Sequence, residues 1–231
     1  MDGFLIYDGV LSGYLGLDRQ IVVPDDVHTI GQEAFLDITY ITSIELPNSL
    51  SMIYDYAFAS CKRLEAISLP DSVMFIGSHA FEGCLSLKKI EIPVFVTQLQ
   101  ENTFEGCSGL EYVKLHDEIN TIESNVFCGC SKIKELTIPR GVSEISESAF
   151  CGMTGLESVT LHDSIVSIGE NAFFGCVRLK EIFIPLSVEK IGMGAFAFCN
   201  NCTIYAEATE KPDGWDEDWN LDGLPVVWGK R

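Results

Sequence analysis

The chain has 231 residues, a formal net charge of −19 and a hydrophobic content of 47%, which is sufficient for one continuous core. The negative charge argues against nucleic acid and anionic membranes as partners, because both would repel it. No apolar run approaches the ~20 residues of a transmembrane helix, so we expect no membrane insertion. We interpret the charge as a source of solubility, with a cationic partner as the alternative.

The N-terminal segment, residues 1–29, is predicted to form a hairpin cap. Its start, MDGFLIYDGV, lacks the basic region and cleavage site of a signal peptide. The chain is therefore expected to be either cytoplasmic or a mature or excised part of a secreted protein. Gly9, Gly13 and Gly16 alternate with apolar residues and are expected at turns. A strand that stops at Pro24 follows, and the segment should pair with the first repeat to close the core.

From residue 30 onward, one pattern of 23 residues recurs without insertion. Counted from its first residue, positions 12, 15, 17 and 21 are apolar in every complete copy, and position 6 is Phe in all eight copies. A single copy has no core of its own, but stacked copies bury these residues as columns. The sequence thus predicts one solenoid over residues 30–202. Seven complete copies and a partial eighth begin at Ile30, Ile53, Ile76, Leu99, Ile122, Ile145, Ile168 and Ile191.

Each copy is predicted to contain one short strand and one tight turn. Apolar residues alternate at positions 15 and 17, which indicates a strand, and the Pro that usually follows marks its end. The Ala-Phe-x-Gly-Cys segment is too short for a full helix and indicates a turn. Its Gly at position 8 suits a positive φ.

The nine cysteines are predicted to be reduced, and most of them to be buried. Equivalent side chains on stacked copies point the same way and lie ~4.8 Å apart, whereas a disulfide needs Cβ atoms ~3.8 Å apart that face each other. Cys128 and Cys151 form a smaller pair at position 7, for which a disulfide stays open. The six cysteines of the main column, at position 9, are Cys61, Cys84, Cys107, Cys130, Cys176 and Cys199.

The last segment, residues 203–231, departs from the repeat and contains all three Trp residues. We predict a Trp-rich, acidic C-terminal cap whose aromatic side chains cover the last copy. The run Asp218-x-Asn220-x-Asp222 matches the first half of an EF-hand calcium loop. However, Gly229 stands where that loop needs a bidentate Glu, so we expect a turn instead.

The repeated pattern I-G-x-x-A-F-x-G-C-x-x-L-x-x-I-x-I-P-x-S-V resembles the BspA-like branch of the leucine-rich repeats over roughly residues 21–204. Members of that branch are known mostly from bacterial surface proteins. The resemblance implies a leucine-rich-repeat solenoid of short β-strands and turns, a right-handed superhelix with a parallel sheet on one face. It also implies adhesion or recognition rather than catalysis, at the cell surface or in a secreted protein.

A candidate partner-binding site lies on the predicted strands. Positions 14 and 16 alternate with buried positions and should face outward, and most of them are small or charged. Tyr112 and Phe183 are the aromatic exceptions, and aromatic side chains of this kind anchor interfaces. We expect the centre of this strip to bind a partner. The candidate residues are Tyr112, Lys89, Glu91, Lys114, Phe183, Glu135 and Glu181.

The sequence predicts no catalytic residue, metal or cofactor, because nothing places a nucleophile beside a base or forms a phosphate-binding loop. His116-Asp117 and His162-Asp163 lie two copies apart, ~10 Å, which is too far for one zinc ion. The leading hypothesis is a non-enzymatic module that binds a protein or glycan, such as a host surface component. The alternatives are a structural spacer and an intracellular protein-interaction scaffold.

Overall fold

The computed structural model describes residues 3–230, which form a solenoid of β-strands without any helix. This part of the chain accordingly contains no helix with the length and apolarity to cross a membrane. The strands are β1 Phe4–Tyr7, β2 Val10–Tyr14, β3 Gln20–Val22, β4 Thr29–Ile30, β5 Ser43–Glu45, β6 Met52–Ile53, β7 Ala66–Ile67, β8 Phe75–Ile76, β9 Lys89–Glu91, β10 Gln98–Leu99, β11 Tyr112–Lys114, β12 Thr121–Ile122, β13 Glu135–Thr137, β14 Glu144–Ile145, β15 Ser158–Thr160, β16 Ser167–Ile168, β17 Glu181–Ile184, β18 Lys190–Ile191, β19 Thr203–Ala206 and β20 Val226–Trp228.

Each rung, meaning one circuit of the solenoid, carries two short strands, one more than predicted. The odd-numbered strands from β5 to β17 are built around positions 14 to 16, as predicted. The even-numbered strands from β4 to β18 join the last residue of one copy to the first of the next. Strands pair in parallel with their equivalents, so that Tyr112 lies opposite Lys89 and Ile168 lies opposite Ile145. The predicted fold class, a solenoid of parallel sheets, is confirmed.

The Phe residues at position 6 form the centre of the core. All eight are fully buried, and successive rings stack with centroids between 5.2 Å and 6.1 Å apart. The backbone reinforces this column, because the N–H of Phe127 donates to the carbonyl of Ala149 on the next rung at 2.9 Å. The same bond recurs along the column, so position 6 supplies both apolar packing and a link between rungs.

Two positions per rung adopt a left-handed backbone, and the sequence analysis predicted only one of them. Position 8 has positive φ, for example 68° at Gly106 and 75° at Gly129, as expected. Position 4 is also left-handed, with φ of 57° at Asn102 and 53° at Asn171. Asn tolerates this conformation better than most residues, so its recurrence at position 4 was the available signal.

The N-terminal residues form the predicted hairpin. β1 and β2 pair antiparallel, Gly9 lies at their turn with a φ of 69°, and β2 continues in parallel to β4. The expectation that Gly13 and Gly16 also lie at turns is wrong. Gly13 lies within β2 opposite Leu5, where an added Cβ would come within 3.3 Å of the Leu5 side chain. Gly16 follows the end of β2, outside any turn.

The C-terminal aromatic residues cover the last rung. Trp219 packs edge-on against Phe196 with ring centroids 6.1 Å apart, and the Trp215 indole N–H donates to the Val188 carbonyl at 3.0 Å. The Asn220 side chain exchanges two hydrogen bonds with the backbone of Leu224, so this segment forms a turn, as expected. We propose that the whole segment from residue 203 caps the solenoid.

The cysteines at position 9 form a buried column beside the Phe rings. Each thiol donates to the carbonyl of the Phe on the preceding rung, with Sγ–O distances between 3.1 Å and 3.3 Å. All nine cysteines are unpaired in the described chain. Burial raises the pKa of Cys61 and Cys107 to about 12, so these thiols stay protonated at neutral pH.

Cys128 and Cys151 differ from this column because they are only partly buried. The two thiols lie on adjacent rungs at position 7, and the hydrogen bond from Cys128 lowers the pKa of Cys151 to about 7. A thiolate reacts far faster than a thiol. These two residues are therefore the reactive cysteines of the chain.

Removing one ring from the Phe column should destabilise several rungs together. The variant Phe127→Ala is expected to lose ~3–5 kcal/mol of unfolding free energy, because a cavity opens between two stacked rings. Denaturant unfolding followed by circular dichroism measures this loss, with Tyr112→Ala as an exposed aromatic control. An unchanged midpoint for Phe127→Ala would show that the column is not the core.

Thiol accessibility should separate the two classes of cysteine. In native protein prepared without reductant, a thiol reagent at pH 8 is expected to modify Cys128 and Cys151 rapidly and the buried thiols slowly. After denaturation the count should reach the nine cysteines of the sequence. A denatured count below nine would reveal disulfides, and rapid modification of the position-9 residues would contradict their burial.

Candidate functional site

The side chains at positions 14 and 16 form an outward strip, which we call the sheet face. The strand pattern places buried and exposed residues in alternation: Ile90 is 1% exposed, whereas Tyr112, one rung further along, is 52% exposed. Phe183 is 38% exposed on β17. The predicted candidate residues all lie on this face, where a partner could reach them.

Four of the candidate residues lie on one pair of strands. Parallel pairing of β9 and β11 sets Lys89 opposite Tyr112 and Glu91 opposite Lys114. Lys114 Nζ lies 3.1 Å from Glu91 Oε2, and this hydrogen bond raises the pKa of Lys114. The ion pair is exposed to solvent and contributes little to stability. Its effect is to fix the positions of two charges beside the Tyr112 ring.

Strand pairing is interrupted on both sides of this pair within the described chain, between β7 and β9 and between β11 and β13. A groove lies at each interruption. The central groove, between β11 and β13, has a volume of about 820 Å³ and is lined by Tyr112, Lys114, Lys132, Lys134, Glu135 and Arg178, among others. The smaller groove has about 410 Å³ and is lined by residues that include Lys89, Glu91 and Lys114. The β9–β11 pair therefore forms a ridge between two grooves.

The central groove is locally basic in an acidic protein. Four cationic side chains and two carboxylates, Glu111 and Glu135, line it. Lys132 forms an ion pair with Glu111 at 3.6 Å, whereas Lys134 and Arg178 form none within residues 3–230. Two cations are thus available to a ligand at this position.

The sequence analysis missed Lys132, Lys134 and Arg178, although a signal for part of this pattern was present. Position 13 alternates in charge over six consecutive copies, and pairs of these residues form ion pairs between rungs at 3.3–3.6 Å, such as Lys180 with Glu157 and Lys88 with Glu65. The alternating residues are Glu65, Lys88, Glu111, Lys134, Glu157 and Lys180. This pattern runs beside the sheet face and supplies Lys134 to the central groove.

Phe183 and Glu181 are not brought together with Tyr112. They lie on β17, three rungs beyond β11, or ~14 Å along the solenoid. Phe183 is opposite Tyr205 of β19, and Lys230 Nζ lies 5.8 Å above the Tyr205 ring. Because this part of the sheet face continues into the C-terminal segment, Phe183 belongs to a different surface from the central groove.

Comparison with known proteins identifies the repeat. The profile of the BspA type leucine rich repeat region matches six copies over residues 17–134 and 120–209. A leucine-rich repeat protein from Bacteroides ovatus has a similar crystal structure, with 27% identity, a TM-score of 0.73, and coverage of 100% of this chain and 70% of that one.

Two further crystal structures are similar. A leucine rich cell surface protein from Faecalibacterium prausnitzii shares 27% identity with a TM-score of 0.59, over 91% of this chain and 55% of that protein. A T. pallidum leucine rich repeat protein has the same fold, with 23% identity and a TM-score of 0.68, over 96% of this chain and 91% of its own. The chain thus spans about half of the F. prausnitzii protein. No curated protein matches the sequence.

Proposed function

Because the chain belongs to the BspA-type leucine-rich repeat family, we propose that it is a non-enzymatic recognition module that binds a protein ligand on its sheet face. The observation that carries this proposal is the ridge of β9 and β11, on which Tyr112 stands at the edge of the central groove. An exposed aromatic beside a groove can anchor a ligand side chain while the polar surroundings exclude water.

The size of the central groove fits a ligand side chain or short segment. Its volume of about 820 Å³ lies within the ~300–1,000 Å³ of ligand-binding clefts. Tyr112 offers a rigid ring with a polar hydroxyl, which costs little conformational entropy to immobilise. Lys134 and Arg178 lie at the same groove, so the ligand group that fits best is an acidic side chain next to an apolar one.

The overall charge sets a second requirement for the partner. A net charge of −19 would slow the approach of an acidic protein, because long-range repulsion lowers association rates. A neutral or basic protein that carries a local acidic segment satisfies both the global field and the groove. Its association should therefore depend on ionic strength.

We place this module at the bacterial cell surface or in a secreted protein. The support is the F. prausnitzii relative described as a cell surface protein, of which this chain spans 55%. A structural spacer would need no groove or exposed Tyr on its sheet face, which favours recognition over that alternative. A glycan ligand could stack on the same ring, and an intracellular scaffold could use the same ridge.

Replacing Tyr112 by Ala should weaken binding by roughly 2 kcal/mol, because the anchor of the interface is lost. The partner is first captured from host matrix and cell extracts with the purified chain and identified by mass spectrometry. Titration calorimetry then compares Tyr112→Ala with the parent protein. Phe95→Ala is the matched control, since Phe95 is an exposed aromatic, at 62%, outside positions 14 and 16.

The variants distinguish the possible outcomes. Loss of affinity in Tyr112→Ala with retained affinity in Phe95→Ala supports the central groove. Equal affinities in both would move the site elsewhere on the surface, with Phe183 as the next position to replace. Capture of a glycan whose binding depends on Tyr112 would retain the site and change the class of ligand.

A further inference from the structure

A cluster of potential metal ligands lies away from the sheet face, in the turn segments of the third and fourth copies. His79 occupies position 4 of one rung, and Glu82 and Glu105 occupy position 7 of that rung and the next. His79 Nδ1 lies 2.8 Å from Glu82 Oε2. One ligand atom from each of the three residues lies within 4.8 Å of the others. The 23-residue stack therefore brings three donors to one point, although the outer two are far apart in sequence.

The His79 ring is held in place from two sides. It stacks on Tyr56 of the preceding rung, with centroids 4.3 Å apart and planes 9° apart. Its Nε2 lies 3.2 Å from the side-chain amide of Asn102, a residue that is only 7% exposed. Metal-binding His residues usually donate their second ring N–H to an oxygen, and a flip of the Asn102 amide provides that oxygen. The ring is thus preorganised with Nδ1 directed at the two carboxylates.

The charge of the cluster favours a cation. Glu82 and Glu105 form no ion pair with Lys or Arg within the described residues. Partial burial, and then the nearby Glu82 carboxylate, raise the pKa of Glu105. Two carboxylates on adjacent rungs therefore repel each other, and a bound cation removes this cost.

We propose that His79 Nδ1 and the carboxylates of Glu82 and Glu105 form a zinc-binding site, with water as the fourth ligand. An imidazole with two carboxylates is a donor set that Zn²⁺ accepts, whereas Ca²⁺ and Mg²⁺ favour oxygen ligands alone. Binding displaces the hydrogen from Nδ1, which leaves as a proton. The ion links two rungs of the solenoid. This site is separate from the proposed partner-binding groove, and each can exist without the other.

The test uses the purified full chain and Zn²⁺ alone, measured by titration calorimetry. The key variant is His79→Asn, because Asn occupies the same left-handed position in three other copies, as Asn102, Asn125 and Asn171. His79→Asn and Glu105→Gln should each weaken Zn²⁺ binding at least ~100-fold, more than the 10- to 100-fold loss typical of outer-shell changes. The control is Glu101→Gln, a nearby exposed carboxylate outside the cluster, which should leave affinity within about twofold of the parent.

Cobalt substitution separates this cluster from the cysteines. Co²⁺ bound at the proposed site has only nitrogen and oxygen ligands, so its spectrum should lack the near-ultraviolet charge-transfer band of a thiolate. Such a band, together with loss of binding in a Cys128→Ser/Cys151→Ser variant, would overturn the proposal in favour of the cysteines. Absence of Zn²⁺ binding to the parent, or full binding by His79→Asn, would also overturn it. Melting curves of each variant confirm that the fold is retained.

Discussion

The structure depends on the hydrogen bonds that join each rung to the next at a fixed spacing of 23 residues. No rung has a helix or an independent core, so each relies on its neighbours for backbone partners and for burial of its Phe ring. The residue at position 6 combines both needs, because its ring stacks while its N–H bonds across rungs. Its carbonyl accepts the thiol of the next rung as well. A fixed period is therefore a physical requirement of this fold.

The same spacing creates the surface sites. Positions that face solvent are not constrained by packing, and each forms a column in which neighbours in space are 23 residues apart in sequence. The ridge that carries Tyr112 and the cluster around His79 both arise in this way. They differ in location, since one lies on strands and the other in turns. A solenoid can thus present separate sites on different faces without changing its core.

Much of this architecture could be predicted from sequence because the period and the buried columns are written in apolar residues. The second ladder could not, since strands of two residues, such as Thr121–Ile122, are too short to show alternation. The grooves were missed because interruptions in strand pairing depend on small displacements between rungs that no residue type encodes. Lys134 was accessible in principle through the charge alternation at position 13. His79 and Glu105 required the stack itself, because their 26-residue separation matches no local motif.

The measurement that tests the central claim most directly is a pair of internal deletions. Removing residues 122–144 deletes one full period and joins Thr121 to Ile145, so every contact between rungs is restored in register. Removing residues 122–133 deletes about half a period and sets strands against turns. Circular dichroism and thermal unfolding should show a folded, cooperative protein for the first deletion and loss of cooperative unfolding beyond the junction for the second. Equal behaviour of the two variants would contradict the requirement for a 23-residue register.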